Sequence, residues 1–180
     1  MNKIILKEFK ENAVLRLEES LRMIFIAFSK IKEDMLWKRP TEGGMALGNQ
    51  ILHSCGNMTQ YIIASLGEQK DERNRDLEFS TNAGSKEELL TLLTTSVQKA
   101  QDTIQNATLL QYETVREVQG FRLSGIGVVL HAVEHFSYHT GQIAFWIKQL
   151  TQEDLGFYTG VDLTQNNKSV SYTHLTLPTN

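Results

Sequence analysis

Four long stretches of this chain carry apolar residues at steps of three and four, and only 2 prolines fall within its 180 residues. That period lines apolar side chains along one side of a helix, and four such stripes must be buried against one another. The first stretch, from about Asn2 to Lys32, places Phe9, Ala13, Leu17, Leu21, Ile24, Phe28 and Ile31 on one face, with Lys10, Glu11, Arg16, Glu19 and Lys30 opposite. In the second, Leu47 to Leu66, Ile51, Cys55, Met58, Ile62 and Leu66 form the stripe, and Gly67 is the expected cap. The third opens with Ser85 and Glu88 at capping-box spacing and runs through Leu89, Leu93, Val97, Ala100 and Ile104 to Asn106. The fourth, about Ser124 to Leu150, has Val129, Val133, Ile143, Ile147 and Leu150 for the core. These elements predict an all-α four-helix bundle.

The connections are less regular. WKRPTEGG, Trp37 to Gly44, stops any helix, and Gln69 to Glu78 is dense in charge and reads as a solvated loop. Tyr112 to Val118 partly alternates and Gly120 follows, which predicts a short hairpin before the last helix. Residues 1–165 are read as a single domain. From about Asn166, SVSYTHLTLPTN loses the helical period and resembles translated adaptor read-through, so this tail (166–180), with His174, is set apart from the functional reading.

Composition narrows the function. Hydrophobic residues make up 41% and charged residues 22%, with a net charge of −3. That balance supplies no electrostatic attraction to nucleic acid or an anionic membrane. The longest apolar run, Met23 to Phe28, is too short to span a bilayer, and Met1 to Lys10 has no signal-peptide core. The lone cysteine, Cys55, excludes an internal disulfide and any four-thiolate zinc site. A cytoplasmic protein is expected.

Chemistry concentrates in histidine. His131, His135 and His139 follow one another at four-residue steps, rotating about 40° each time, so they leave the fourth helix from nearly one face. His53 lies on the second helix within NQILHSCGN, with Asn49 and Asn57 one turn to either side. If those helices face each other, three neutral imidazoles converge on a site suited to a divalent transition metal. Spacing alone leaves open a set of ordinary hydrogen-bonded histidines. Phe136 stands where the HExxH motif has its Glu, so a zincin-type peptidase is disfavoured. Cys55 is about 200° from His53 around the helix and Glu134 about 100° from His135, so neither faces the proposed ion. Gly141, costly inside a helix, suggests a neighbour approaching closely. Arg73 and Arg75 could hold an anionic substrate should their loop fold over the site.

HAVEHFSYHTGQIAFWIKQL resembles the last-helix signature of the DinB superfamily, in which a His pair is followed by Gly-Gln and an apolar residue. WKRP, NQILHSCGN, DERNRDLEF and LGFY agree in order and spacing, and the likeness spans about Ile31 to Tyr158. The resemblance implies an up-down-down-up bundle, often a homodimer, with metal ligands at His53, His135 and His139. His131, Asn49, Asn57 and Gln142 would then surround the ligands. The expected ion is divalent, zinc or nickel first and iron(II) or manganese next. Relatives with this constellation include metal-dependent transferases and isomerases that use low-molecular-weight thiols, so the implied partner is a small thiol or another small substrate. A metal-dependent hydrolase and a non-enzymatic, stress-related metal- or ligand-binding bundle are the alternatives.

Overall fold

The computed structural model describes residues 3–165; the tail at 166–180, including His174, lies outside the described residues. Helix α1 (Lys3–Ser29) is followed by a 3-10 turn (Glu33–Met35) and α2 (Leu47–Met58), which continues as a π-helical segment (Thr59–Leu66). Then come α3 (Arg75–Ser80), α4 (Lys86–Asn106), α5 (Leu109–Glu113), the strands β1 (Val115–Val118) and β2 (Phe121–Ser124), and α6 (Gly125–Thr151).

Helices α1 and α2 each pack on both α4 and α6, so α1 and α2 stand at opposite corners of the bundle. Long-range bonds give the directions. Lys10 near the start of α1 donates to the carbonyls of Gln105 and Ala107 at the end of α4, and Lys86 at the start of α4 donates to Ile31 O. Gln50 meets His139 while Asn57 meets His131, so α2 and α6 are antiparallel. Trp146 Nε1, late in α6, bonds Lys38 O just beyond α1, so those two run together. The result is the expected up-down-down-up order.

Local signals set most boundaries. Ser85 Oγ accepts from Glu88 N at 3.2 Å and Glu88 Oε2 from Ser85 N at 2.8 Å, closing the capping box on α4. Ser124 caps α6 by accepting from Gly127 N. Leu17, Ile24, Phe28, Ile51, Met58, Leu93, Ile104, Ile143 and Ile147 are fully buried in one continuous cluster.

Two segments differ from expectation. The hairpin forms, with Val115 opposite Ser124 and a tight turn at Gln119 and Gly120, both at positive φ. Tyr112, however, belongs to the helical turn α5, because Thr108 and Gln111 build a second capping box ahead of it. The charged stretch Gln69–Glu78 is not a solvated loop throughout: Asn74 accepts from Leu77 N to start α3, and Glu78 on that helix is buried.

Close packing at the start of α6 yields a contrast within one helical turn. A Cβ at Gly125 would lie 2.4 Å from Gln111 O and 2.7 Å from Tyr112 Cα, backbone atoms that cannot yield cheaply. At Gly127 it would meet only side-chain atoms at ordinary contact distance, Leu123 carbons at 3.4 Å and Ser124 Oγ at 3.8 Å. Gly125→Ala is expected to destabilise the fold by about 1–3 kcal/mol. Gly127→Ala should stabilise it by about 0.5–1 kcal/mol. Urea unfolding of the two variants checks this; shifts of equal sign would contradict the packing described.

Candidate metal centre

The antiparallel pairing of α2 and α6 brings one face of each helix together across the bundle. The ring of His53 lies 4.8 Å from that of His135 and 5.0 Å from that of His139, and the latter two rings are 4.5 Å apart, centroid to centroid. One nitrogen from each falls within 4.8 Å of the other two. His53 Nε2 and His135 Nε2 are 3.1 Å apart. Three imidazoles around a tetrahedral ion with bonds of about 2.0–2.1 Å have their nitrogens roughly 3.3 Å apart, a spacing that His53 and His135 already approach.

A carboxylate decides which nitrogen of His53 faces the group. Glu78 Oε2 lies 2.8 Å from His53 Nδ1. Burial pushes the Glu78 carboxyl up, but hydrogen bonds from Arg73 and His53 outweigh it and hold the group below the usual carboxylate range. An ionised carboxylate only accepts, so the proton sits on Nδ1 and the Nε2 lone pair is turned toward His135. Arg73 grips both oxygens of Glu78, through Nε at 2.7 Å and Nη2 at 2.8 Å, and its Nη1 donates to Gln60 Oε1. Asn49 Nδ2 ties down the backbone of the same segment at Glu78 O and Thr81 O.

This arrangement requires a bare backbone at Gly56. A Cβ there would fall 1.9 Å from Glu78 Oε1 and 3.0 Å from Arg73 Nε.

The other expected residues take distinct places. Gln142 hydrogen-bonds His139, and Gln50 Oε1 stands 3.4 Å from His139 Nδ1. Asn57 reaches His131 at 3.5 Å and has a buried Oδ1 with no partner among the described residues. His131 stacks on Tyr61 at 4.1 Å and is not among the three that could share an ion. Cys55 is buried away from the group, with its thiol pushed up to about 12 by burial, and Glu134 is exposed. Gly141 is a correction: it is exposed, and a Cβ there would meet nothing within 4 Å, so no neighbouring element explains it.

Glu78, Gln50 and Tyr61 were missed by sequence reasoning. Gln50 lies three residues before His53 and so shares its helical face. Asn74 followed by Leu77 was a signal for α3, but not for the burial of Glu78.

Burial, reinforced by the neighbouring imidazoles, lowers His135 to about 3; burial followed by His53 lowers His139 to about 4, against a small opposing effect of Gln142. Both are neutral bases at pH 7, the form a metal requires.

The fold and the site together define a helical bundle carrying a three-histidine group that could hold a metal ion. The chain belongs to the family described as "Protein of unknown function (DUF1572)", whose family model matches residues 5–160. Among solved structures, it resembles a DinB-like protein (YjoA) from Bacillus subtilis, at 15% identity and a TM-score of 0.59, with 79% of this chain and 91% of that one covered. That likeness establishes the DinB-like fold. No curated protein matches. Among the described residues, no helix is long and apolar enough to cross a membrane.

Two expectations follow from the site. Gly56→Ala should displace the Glu78 carboxylate and lower zinc affinity ten- to hundredfold, the usual cost of losing a ligand's orienting partner, with far-ultraviolet dichroism unchanged. Unaltered affinity in a competition titration would show that Glu78 does not orient His53. In the metal-free protein, His135 and His139 stay neutral well below the unfolded value of about 6.5. The unfolded chain therefore takes up protons first as pH falls, and stability present above pH 6.5 is lost progressively toward pH 4. Melting temperatures over that range should fall less steeply in His139→Gln than in the parent.

Proposed function

We propose that the protein binds one divalent metal ion through His53, His135 and His139 and uses it to transfer a small thiol to an electrophile. The observation that carries this reading is the convergence of three ring nitrogens within 4.8 Å, two of them on imidazoles kept neutral by burial. Three protein ligands leave a coordination position open. An ion held by His53, His135 and His139 would supply one thing, a lowered pKa for a small thiol and hence thiolate near neutral pH. Net transfer would join sulfur to the electrophilic carbon, release the leaving group with the bonding pair and give the thiol proton to solvent. Glu78 keeps His53 in the ligating tautomer, while Gln142 and Gln50 hold the His139 ring.

The proposed setting is cytoplasmic, with neither nucleic acid nor membrane as partner, in keeping with the net charge of −3. We also propose a homodimer, which would cover Leu130 and Phe145, large apolar side chains exposed along the outer face of α6.

Elemental analysis of the purified protein, compared with His53→Ala and His139→Ala, tests the centre. One equivalent of zinc, nickel, iron or manganese is expected in the parent and a loss of most of it in each variant; full occupancy in both variants would refute the ligand set. Thermal-shift measurements with bacillithiol, mycothiol, glutathione and cysteine test the thiol, a metal-dependent rise being expected with at least one. No shift with any of these, and no thiol consumed from a model electrophile, would overturn the transferase reading in favour of a hydrolase or a binding protein.

A further inference from the structure

Arg73 and Arg75 are two residues apart, and the structure gives them opposite fates. Arg73 is only 2% exposed in its side chain, and its guanidinium is taken up by Glu78 and Gln60. Arg75, the first residue of α3, is exposed and has no carboxylate within ion-pair distance among the described residues. Its guanidinium carbon lies 5.1 Å from the centroid of the Phe79 ring. Phe79 in turn lies 5.1 Å from the ring of His53. A cation is therefore poised two ring contacts from the histidine group.

Stacking on an aromatic face restrains a guanidinium without consuming its N–H donors, which lie along its edge. Besides the polar contacts of Glu78, Arg73, Gln50 and Gln142 described above, aromatic rings stand beside the histidines. Tyr138, 61% exposed, sets its edge against His139 at 5.3 Å, and Phe121, also exposed, lies 6.3 Å from His131. Phe79 and Tyr138 each adjoin one of the three histidines, and the guanidinium of Arg75 beside Phe79 has no hydrogen-bond partner among the described residues. Carboxylate is the group that such a fork recognises through two parallel bonds.

We propose that Arg75 anchors the carboxylate of a small thiol acid whose sulfur reaches the three-histidine centre, with Phe79 and Tyr138 flanking the short chain between the two ends. The proposal rests on the metal-and-thiol reading above and narrows it to anionic thiols.

Cobalt(II)-loaded protein allows the two readings to be separated, because sulfur binding to cobalt produces an absorption band that can be titrated. The probes are 3-mercaptopropionate and its neutral counterpart 3-mercapto-1-propanol. The parent should bind the acid about tenfold more tightly, as expected for a charge-assisted hydrogen bond worth about 1.4 kcal/mol. Arg75→Gln should reduce the preference to less than twofold while leaving affinity for the alcohol unchanged, and Arg75→Lys should keep part of it. The parent's preference should also shrink in 1 M salt, as screening requires. Equal affinity of the parent for both thiols, or an undiminished preference in Arg75→Gln, would overturn the role of Arg75 and leave the metal centre standing. Absence of a sulfur band with either thiol would overturn both.

Discussion

Glu78 is a charged carboxylate in a position where burial works against charge, and much of the site is arranged around keeping it ionised. Removing a carboxylate from water costs several kcal/mol, and only close, well-directed partners offset that. Arg73 supplies both parallel bonds and His53 a third. The bond from His53 to Glu78 and those from Asn49 to Glu78 O and Thr81 O fasten the charged segment onto α2. The same contact that settles the tautomer of His53 thus closes the chain over one side of the histidine group. Gly56 is the empty space that lets this happen, and Asn49 secures the backbone behind it.

The π-helical segment after Met58 serves both sides of this arrangement. Gln60 bonds Arg73 and Asp71, steadying the charged segment, while Tyr61 stacks against His131 and reaches Gln119 in the hairpin turn. Wider winding is a recurrent feature of helices near functional sites, where it redirects side chains without ending the element. Here it follows directly on the turn of α2 that carries His53 and Asn57.

Electrostatics at the centre are those of crowded neutral bases. Burial and mutual repulsion disfavour the protonated forms of His135 and His139, so the lone pairs remain available to a cation at neutral pH. Three such bases side by side could hold a metal ion. Cys55, the one thiol of the chain, is buried in the core.

The bundle was legible in the chain because helical periodicity and caps are local: the stripes of α1 and α6, the box at Ser85 and Glu88, and the spacing of His135 and His139 all depend on residues within one or two turns. Their partnership with His53, 82 residues before His135, came from family resemblance, since spacing says nothing about which helices face each other. The burial of Arg73 and Glu78 was not legible, because a charge-dense segment is stable in water unless packing brings both partners to one place. Gly141 and Gly56 show the same limit. Either glycine could have marked a close approach, and only the neighbours assembled by tertiary packing decided that the marked position was Gly56.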